Sequence, residues 1–103
     1  MKFERTTRFD SDFSALPGEH QLQFRNSITQ FHEGCVRYLE TGLLKSWPRS
    51  LRVRRMVSAP RIWEMTWSLA RPDGRATFEF IERDGEVRIL WRRIGNHSIY
   101  KSV

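Results

Sequence analysis

Between Ile62 and Ile94 the apolar residues recur with a period of two in three successive runs, and this pattern limits the fold more than any other feature of the chain. In Ile62–Leu69, Trp63, Met65, Trp67 and Leu69 share one face while Glu64, Thr66 and Ser68 share the other, as in a half-buried strand. Arg71-Pro72-Asp73-Gly74 has turn chemistry, and Arg75–Glu82 follows with Ala76, Phe78 and Phe80 opposite Arg75, Thr77 and Glu79. Asp84-Gly85 predicts a tight hairpin. In Glu86–Ile94, Val87, Ile89 and Trp91 oppose Arg88, Leu90 and Arg92 without a clean polar side. That run reads as a central strand covered on both faces, with its register open. An antiparallel meander of this kind must bury its apolar face against another layer.

The cover is legible upstream. From Pro17 to Thr41, Phe24, Ile28, Phe31, Cys35 and Tyr38 or Leu39 recur at steps of three and four, the signature of one helix face. Pro17 can open that helix and Gly42 can close it. Phe3, Arg5, Thr7 and Phe9 alternate with Lys2, Glu4, Thr6 and Arg8, which predicts a short first strand, and Asp10, Ser11 and Asp12 offer helix caps after it. Leu43–Pro60 shows no apolar period and reads as a connector carrying Arg49, Arg52, Arg54 and Arg55. The expected class is α+β: a compact antiparallel sheet of about four strands packed on an N-terminal helix or helices, with residues 1–103 forming a single domain. The opposite sheet face, bearing Glu64, Thr66 and Arg75, is expected to be free.

Composition enters through charge. Residues 1–50 hold seven Lys/Arg against six Asp/Glu, whereas residues 51–103 hold eleven against six, so nearly all of the net +6 lies in the second half. Such a surface favours phosphate-rich partners, while a solvated basic face is the simpler reading. The single cysteine, Cys35, excludes an internal disulfide and fits a cytoplasmic setting. The charged start, Met1-Lys2-Phe3-Glu4-Arg5, is unlike a signal peptide, and no apolar run reaches membrane-spanning length, so no membrane partner is expected. The histidines and the cysteine do not have zinc-site spacing; no metal and no cofactor are expected.

Taken in order, Phe9-Asp10-x-Asp12-Phe13, Leu51-Arg52-Val53-Arg54, Ile62-Trp63-Glu64-Met65, Asp73-Gly74-Arg75-Ala76-Thr77-Phe78 and Arg93-Ile94-Gly95-Asn96-His97, with a Tyr shortly after, resemble the RelE/ParE superfamily of bacterial toxins over nearly the whole chain. The resemblance implies the toxin of a type II toxin-antitoxin system, whose partners are a cognate antitoxin protein and, in the RelE branch, the ribosome, its rRNA and the mRNA that is cut there. It places Arg75 where the family carries a phosphate-contacting arginine, His97 where it carries a terminal basic or histidine residue, and Tyr100 near an aromatic contact. Glu64 and Thr66 stand where some relatives have lysines.

RNA cleavage by a 2′-hydroxyl needs a base for that hydroxyl, an acid for the departing 5′-oxygen and positive charge at the phosphorane. Glu64 is the candidate base, His97 the candidate acid or base and Arg75 the phosphate fork, with Tyr100 completing the expected catalytic set. Tyr100 and Trp91 are candidates to stack a splayed base; for Trp91, core packing is the competing reading, and Trp47 is equally open. Arg52, Arg54, Arg55, Arg92 and Arg93 are candidate RNA-backbone contacts, one of Arg92 and Arg93 having to point away from the other.

Blander readings stand beside these. Glu64 and Arg75 can form a cross-strand ion pair; His97 can be a surface turn residue; the connector arginines can be a solvated loop. His20 and His32 fall on the helix and read as structural, and Trp63, Met65 and Trp67 read as core. Two other functions remain open beside the mRNA endoribonuclease: a non-catalytic binder, either a ParE-like toxin directed at gyrase or a nucleic-acid-binding module, and a degenerate toxin that keeps only antitoxin binding.

Overall fold

The computed structural model describes residues 1–70 and 73–103. In chain order it contains β1 (Phe3–Arg5), α1 (Thr7–Ser14), α2 (Gly18–Thr41), two 3-10 turns (Leu44–Ser46 and Arg49–Leu51), β2 (Arg54–Arg55), β3 (Trp63–Ser68), β4 (Gly74–Arg83), β5 (Glu86–Gly95) and a last 3-10 turn (His97–Lys101). The strands form one five-stranded sheet in the order β1-β5-β4-β3-β2. The α+β class is as expected. The sheet has one strand more than expected and is mixed, because β1 runs parallel to β5 while every other pair is antiparallel.

The N-terminal strand is shorter than its alternation predicts. The Thr6 side chain accepts a hydrogen bond from the Phe9 amide at 3.0 Å and donates one to the Arg92 carbonyl at 2.8 Å, so it caps a helix and ties that helix to β5. Residues 7–9 are therefore helical, and Asp10, Ser11 and Asp12 lie inside α1 instead of capping it. Phe9 and Phe13, four residues apart, form a helical stripe that local alternation disguised.

Helix α2 behaves as its spacing predicts. Pro17 precedes it, Gly42 ends it at φ 71°, and the Gly42 amide donates to the Tyr38 carbonyl at 2.7 Å. Phe24, Phe31 and Cys35 are buried and Ile28 packs beside them; Tyr38, not Leu39, faces inward. Trp47 is also core. Its indole donates to the Phe31 carbonyl at 3.1 Å, and it lies so close to Gly34 that a Cβ there would sit 2.1 Å from the ring. Burial pushes the Cys35 thiol up to about 12.

These helices cover the apolar face made by Trp63, Met65, Trp67, Ala76, Phe78, Ile89, Trp91 and Ile94. The Asp84-Gly85 hairpin forms with both residues at positive φ, 52° and 77°, between paired Arg83 and Glu86. Half of the expected Arg71–Gly74 turn, Arg71 and Pro72, lies outside the described residues. Register between β4 and β5 is set by Phe78 opposite Trp91 and Thr77 opposite Arg93, which leaves Arg92 as the extra residue of a bulge.

Candidate active site

Alternation puts Glu64 and Thr66 of β3 and Arg75, Thr77 and Glu79 of β4 on the sheet face away from the helices. That face is not free. Glu64, Thr66, Arg75 and Thr77 are only 5%, 1%, 6% and 0% exposed, and after β5 the chain returns so that Tyr100 lies against Glu64 and Arg75. The returning segment is tied at its end: Arg92 Nε donates to the Val103 carbonyl at 3.0 Å, Arg93 to the Ser102 carbonyl at 2.7 Å and Arg8 to the Ser102 hydroxyl at 2.6 Å. Alternation describes a strand's two sides and carries no information about what the C-terminal residues later cover.

The expected catalytic residues come together unequally. Glu64 stands in register with Arg54 on one side and Thr77 on the other, and Arg54 Nε donates to its Oε1. Burial would raise the Glu64 carboxyl, yet the Tyr100 hydroxyl and the Arg54 and Arg75 guanidinium groups outweigh that and hold it below the ordinary carboxylate value. Burial, and then the Glu64 carboxylate, push the Tyr100 phenol upward, so it stays protonated at neutral pH. Its hydroxyl is buried beside that carboxylate without a well-aligned hydrogen bond. Arg75 is opposite Thr66 and Gly95; its NH2 meets Asp73 at 3.2 Å and its Nε has no partner among the described residues. Its ion-pair partner is thus Asp73, and the cross-strand partner of Glu64 is Arg54. His97 is exposed at the rim, its ring 5.7 Å from that of Tyr100.

The expected RNA-contact set divides. Trp91 is removed from it: at 2% exposed and with Phe9, Phe24, Phe31 and Phe78 at centroid distances of 5.8, 5.1, 4.9 and 5.6 Å, it is the centre of the core and presents no face to a base. Arg54 is committed to Glu64. Arg55 turns to the other face, over the Trp63 ring at 5.0 Å and 3.3 Å from the Tyr38 hydroxyl. Arg52 is exposed, at φ 43°, and makes no ion pair among the described residues.

The expected divergence of Arg92 and Arg93 does not occur, because the bulge lets both reach the C-terminal segment. Arg92 also binds Glu79 at 2.6 Å, and Arg93 binds Asp12 at 2.6 and 3.2 Å. His20 lies against Trp67 and His32 between Phe3 and Phe31, both as structural side chains; burial lowers His32 from its ordinary value.

Several contributors escaped the sequence reading. Thr77 and Glu79 were legible as polar-face residues, but their burial was not. Glu79 joins Arg92 to Arg61, 3.6 Å away, and Asp12 reaches from α1 to Arg93 and to the Ile94 amide; no local signal marks either link. Among the described residues no group of three or more His, Cys, Asp or Glu could hold a metal ion, and no helix is long and apolar enough to cross a membrane. The face thus offers an ionised carboxylate, a protonated phenol, a guanidinium with an unused donor and a rim imidazole, a set able to hold a phosphodiester and move protons around it.

No protein-family model matches the chain and none of the curated proteins matches it in sequence. A search by structure finds similarity to a chain of the intact RelBE toxin-antitoxin complex of E. coli, with a TM-score of 0.57 and 14% identity, covering 92% of this chain and 94% of that one. The architecture and the ordered sequence motifs therefore agree, and the chain has the RelE-like fold.

Proposed function

We propose that the protein is the toxin of a type II toxin-antitoxin pair and acts in the cytoplasm as a ribosome-dependent mRNA endoribonuclease. The observation that carries this reading is the gathering of Glu64, Arg75 and Tyr100 on one sheet face of a RelE-like fold, with His97 at the rim. The fold also supports a cognate antitoxin as partner. Four extra positive charges in residues 51–103 relative to residues 1–50 (+5 against +1) supply long-range attraction to mRNA and rRNA.

In the reaction, Glu64 accepts the proton of the 2′-hydroxyl as the 2′-oxygen bonds to phosphorus. Arg75 balances the charge of the phosphorane, and His97 delivers a proton to the 5′-oxygen as the P–O5′ bond breaks. The products are a 2′,3′-cyclic phosphate and a free 5′-hydroxyl. Glu64 works from a lowered proton affinity, which keeps it ionised and ready but makes it a weak base; proximity must supply what basicity does not. Tyr100, protonated beside it, is a donor to the same phosphate or to Glu64. Arg52, exposed and without an ion pair among the described residues, positions RNA backbone, as do Arg92 and Arg93 once Ser102 and Val103 alone release them, His97 and Tyr100 staying in place.

The test is induction of the wild type, Arg75→Ala and His97→Ala in cells, with mRNA 5′ ends mapped genome-wide. New ends within translated messages, at least tenfold fewer in either variant, are expected. Growth arrest without new ends sinks the nuclease, and a supercoiling defect in its place indicates a gyrase-directed toxin. Full cutting by both variants removes the assigned residues.

A further inference from the structure

On the helix side of the sheet, at its β2 edge, Tyr38, Arg55, Pro60, Arg61, Trp63 and Phe80 line an open recess of about 300 Å³. Tyr38, the last inward residue of α2, and Phe80 of β4 are only half-buried there. The charged members of this lining are two guanidinium groups, with no carboxylate among the described residues that form it. Arg55 makes no ion pair among the described residues; it lies over the Trp63 ring at 5.0 Å and donates to the Tyr38 hydroxyl at 3.3 Å. Arg61, with 89% of its side chain exposed, meets Glu79 at 3.6 Å, and Glu79 is held more closely by Arg92 at 2.6 Å. Val57, in the loop that joins these two arginines, is 99% exposed.

We infer that this recess docks an acidic segment of a partner protein, one large apolar side chain entering between Tyr38 and Phe80 while flanking carboxylates meet Arg55 and Arg61. Two guanidinium groups beside an apolar recess, with no carboxylate in the lining to balance them, are complementary to an apolar anchor set among acidic residues, because arginine takes a carboxylate on both of its oxygens. The aromatic packing favours a protein segment over RNA. A nucleobase stacks on an open ring face. Tyr38 is stacked between Trp47 and Phe80, at 5.0 and 6.0 Å, and Trp63 lies between Phe78, at 6.0 Å, and the Arg55 guanidinium, so both rings have their faces taken. An aliphatic side chain needs no such face and gains from burial against ring edges. The recess is on the opposite side of the sheet from Glu64 and Arg75, so a segment held there grips the protein without touching the candidate active site. The inference rests on the toxin-antitoxin reading only for the source of the segment, which is then the antitoxin.

The experiment uses the full chain as wild type, Arg55→Ala and Arg61→Ala, and follows the Arg55 and Arg61 Nε–H and the Phe80 ring resonances by NMR. The probes are a short synthetic peptide of aspartate and glutamate around one leucine, the same peptide with alanine for leucine, and oligouridylate. The leucine peptide should shift all three sets of resonances saturably, with affinity about tenfold lower for either variant and for the alanine peptide, and lower again as salt is raised. Because the Arg61 side chain is almost wholly exposed, Arg61→Ala folds as the wild type does and keeps the test decisive. No shift in the wild type, equal binding by both variants, or oligouridylate that occupies the recess more tightly than the peptide overturns the inference, whether or not mRNA is cut. Peptide binding at the recess of a protein whose induction neither arrests growth nor cuts mRNA leaves the docking site standing and overturns the toxin reading.

Discussion

On the helix side of the sheet, Trp91 is packed against four aromatic rings at centroid distances between 4.9 and 5.8 Å, and the indoles of Trp47 and Trp67 each find a carbonyl, at 3.1 and 3.0 Å. On the other side, β3 and β4 bury three polar atoms, Thr66 Oγ1, Arg75 Nε and Thr77 Oγ1, without partners among the described residues, and the strongest contacts are Arg54–Glu64, Arg92–Glu79 and Arg93–Asp12. The central residues of both sides are buried. They differ in how far closure satisfies the groups enclosed, since the helix side leaves only His32 Nε2 unpartnered among the described residues, and an unsatisfied buried polar group costs about 1–3 kcal/mol. Stability therefore resides on the helix side, while the side under the C-terminal segment carries a cost of the kind that functional sites retain.

The largest effect expected from this contrast is at Trp91. Trp91→Ala leaves a void amid the aromatic cluster and should lower the free energy of unfolding by about 3–5 kcal/mol, read from urea denaturation. A loss below about 1 kcal/mol would mean that the helix side is not the main source of stability.

An intermediate effect tests the polar side through pH. Because the folded Glu64 carboxyl lies below its ordinary value of 4.5, the folded state binds fewer protons than the unfolded state; the stabilisation is complete above that value and is lost as pH falls through the lower folded one. Glu64→Gln lacks this component. The melting-temperature difference between wild type and variant should therefore move against the wild type as pH falls below 4.5. A constant difference would show that Arg54, Tyr100 and Arg75 do not hold the carboxylate.

The smallest effect is at Arg55, whose guanidinium lies over Trp63 on the helix side of the sheet edge. Arg55→Ala should cost about 0.5–1 kcal/mol and leave RNA cleavage intact, whereas Arg52→Ala should weaken RNA association without changing stability. An equal loss of cleavage in both variants would erase the division of the connector arginines.

Much of this was legible locally. Alternation in residues 62–94 and the three-and-four spacing in α2 fix which side chains are apolar neighbours, since strand and helix geometry depend on adjacent residues alone. The same reasoning misread residues 7–9, where Thr6 capping and contact with β5 outweigh a four-pair alternation. Trp91 was ambiguous for a similar reason: its own strand is mixed, and only the arrival of Phe9, Phe24 and Phe31 from two helices makes it core.

By itself, then, the sequence determined the class of the fold, the helix with its Pro17 and Gly42 boundaries, the Asp84-Gly85 hairpin and the membership of the polar face, because each depends on residues a few positions apart. Only the tertiary structure decided that this face is covered, that Arg54 is committed to Glu64 while Arg55 is turned away, and that a bulge sends Arg92 and Arg93 to the same segment. Those outcomes depend on contacts between residues 8, 12 and 92–103 and between strands joined by long connections, and such contacts are settled by competition among all the groups that the folded chain brings together.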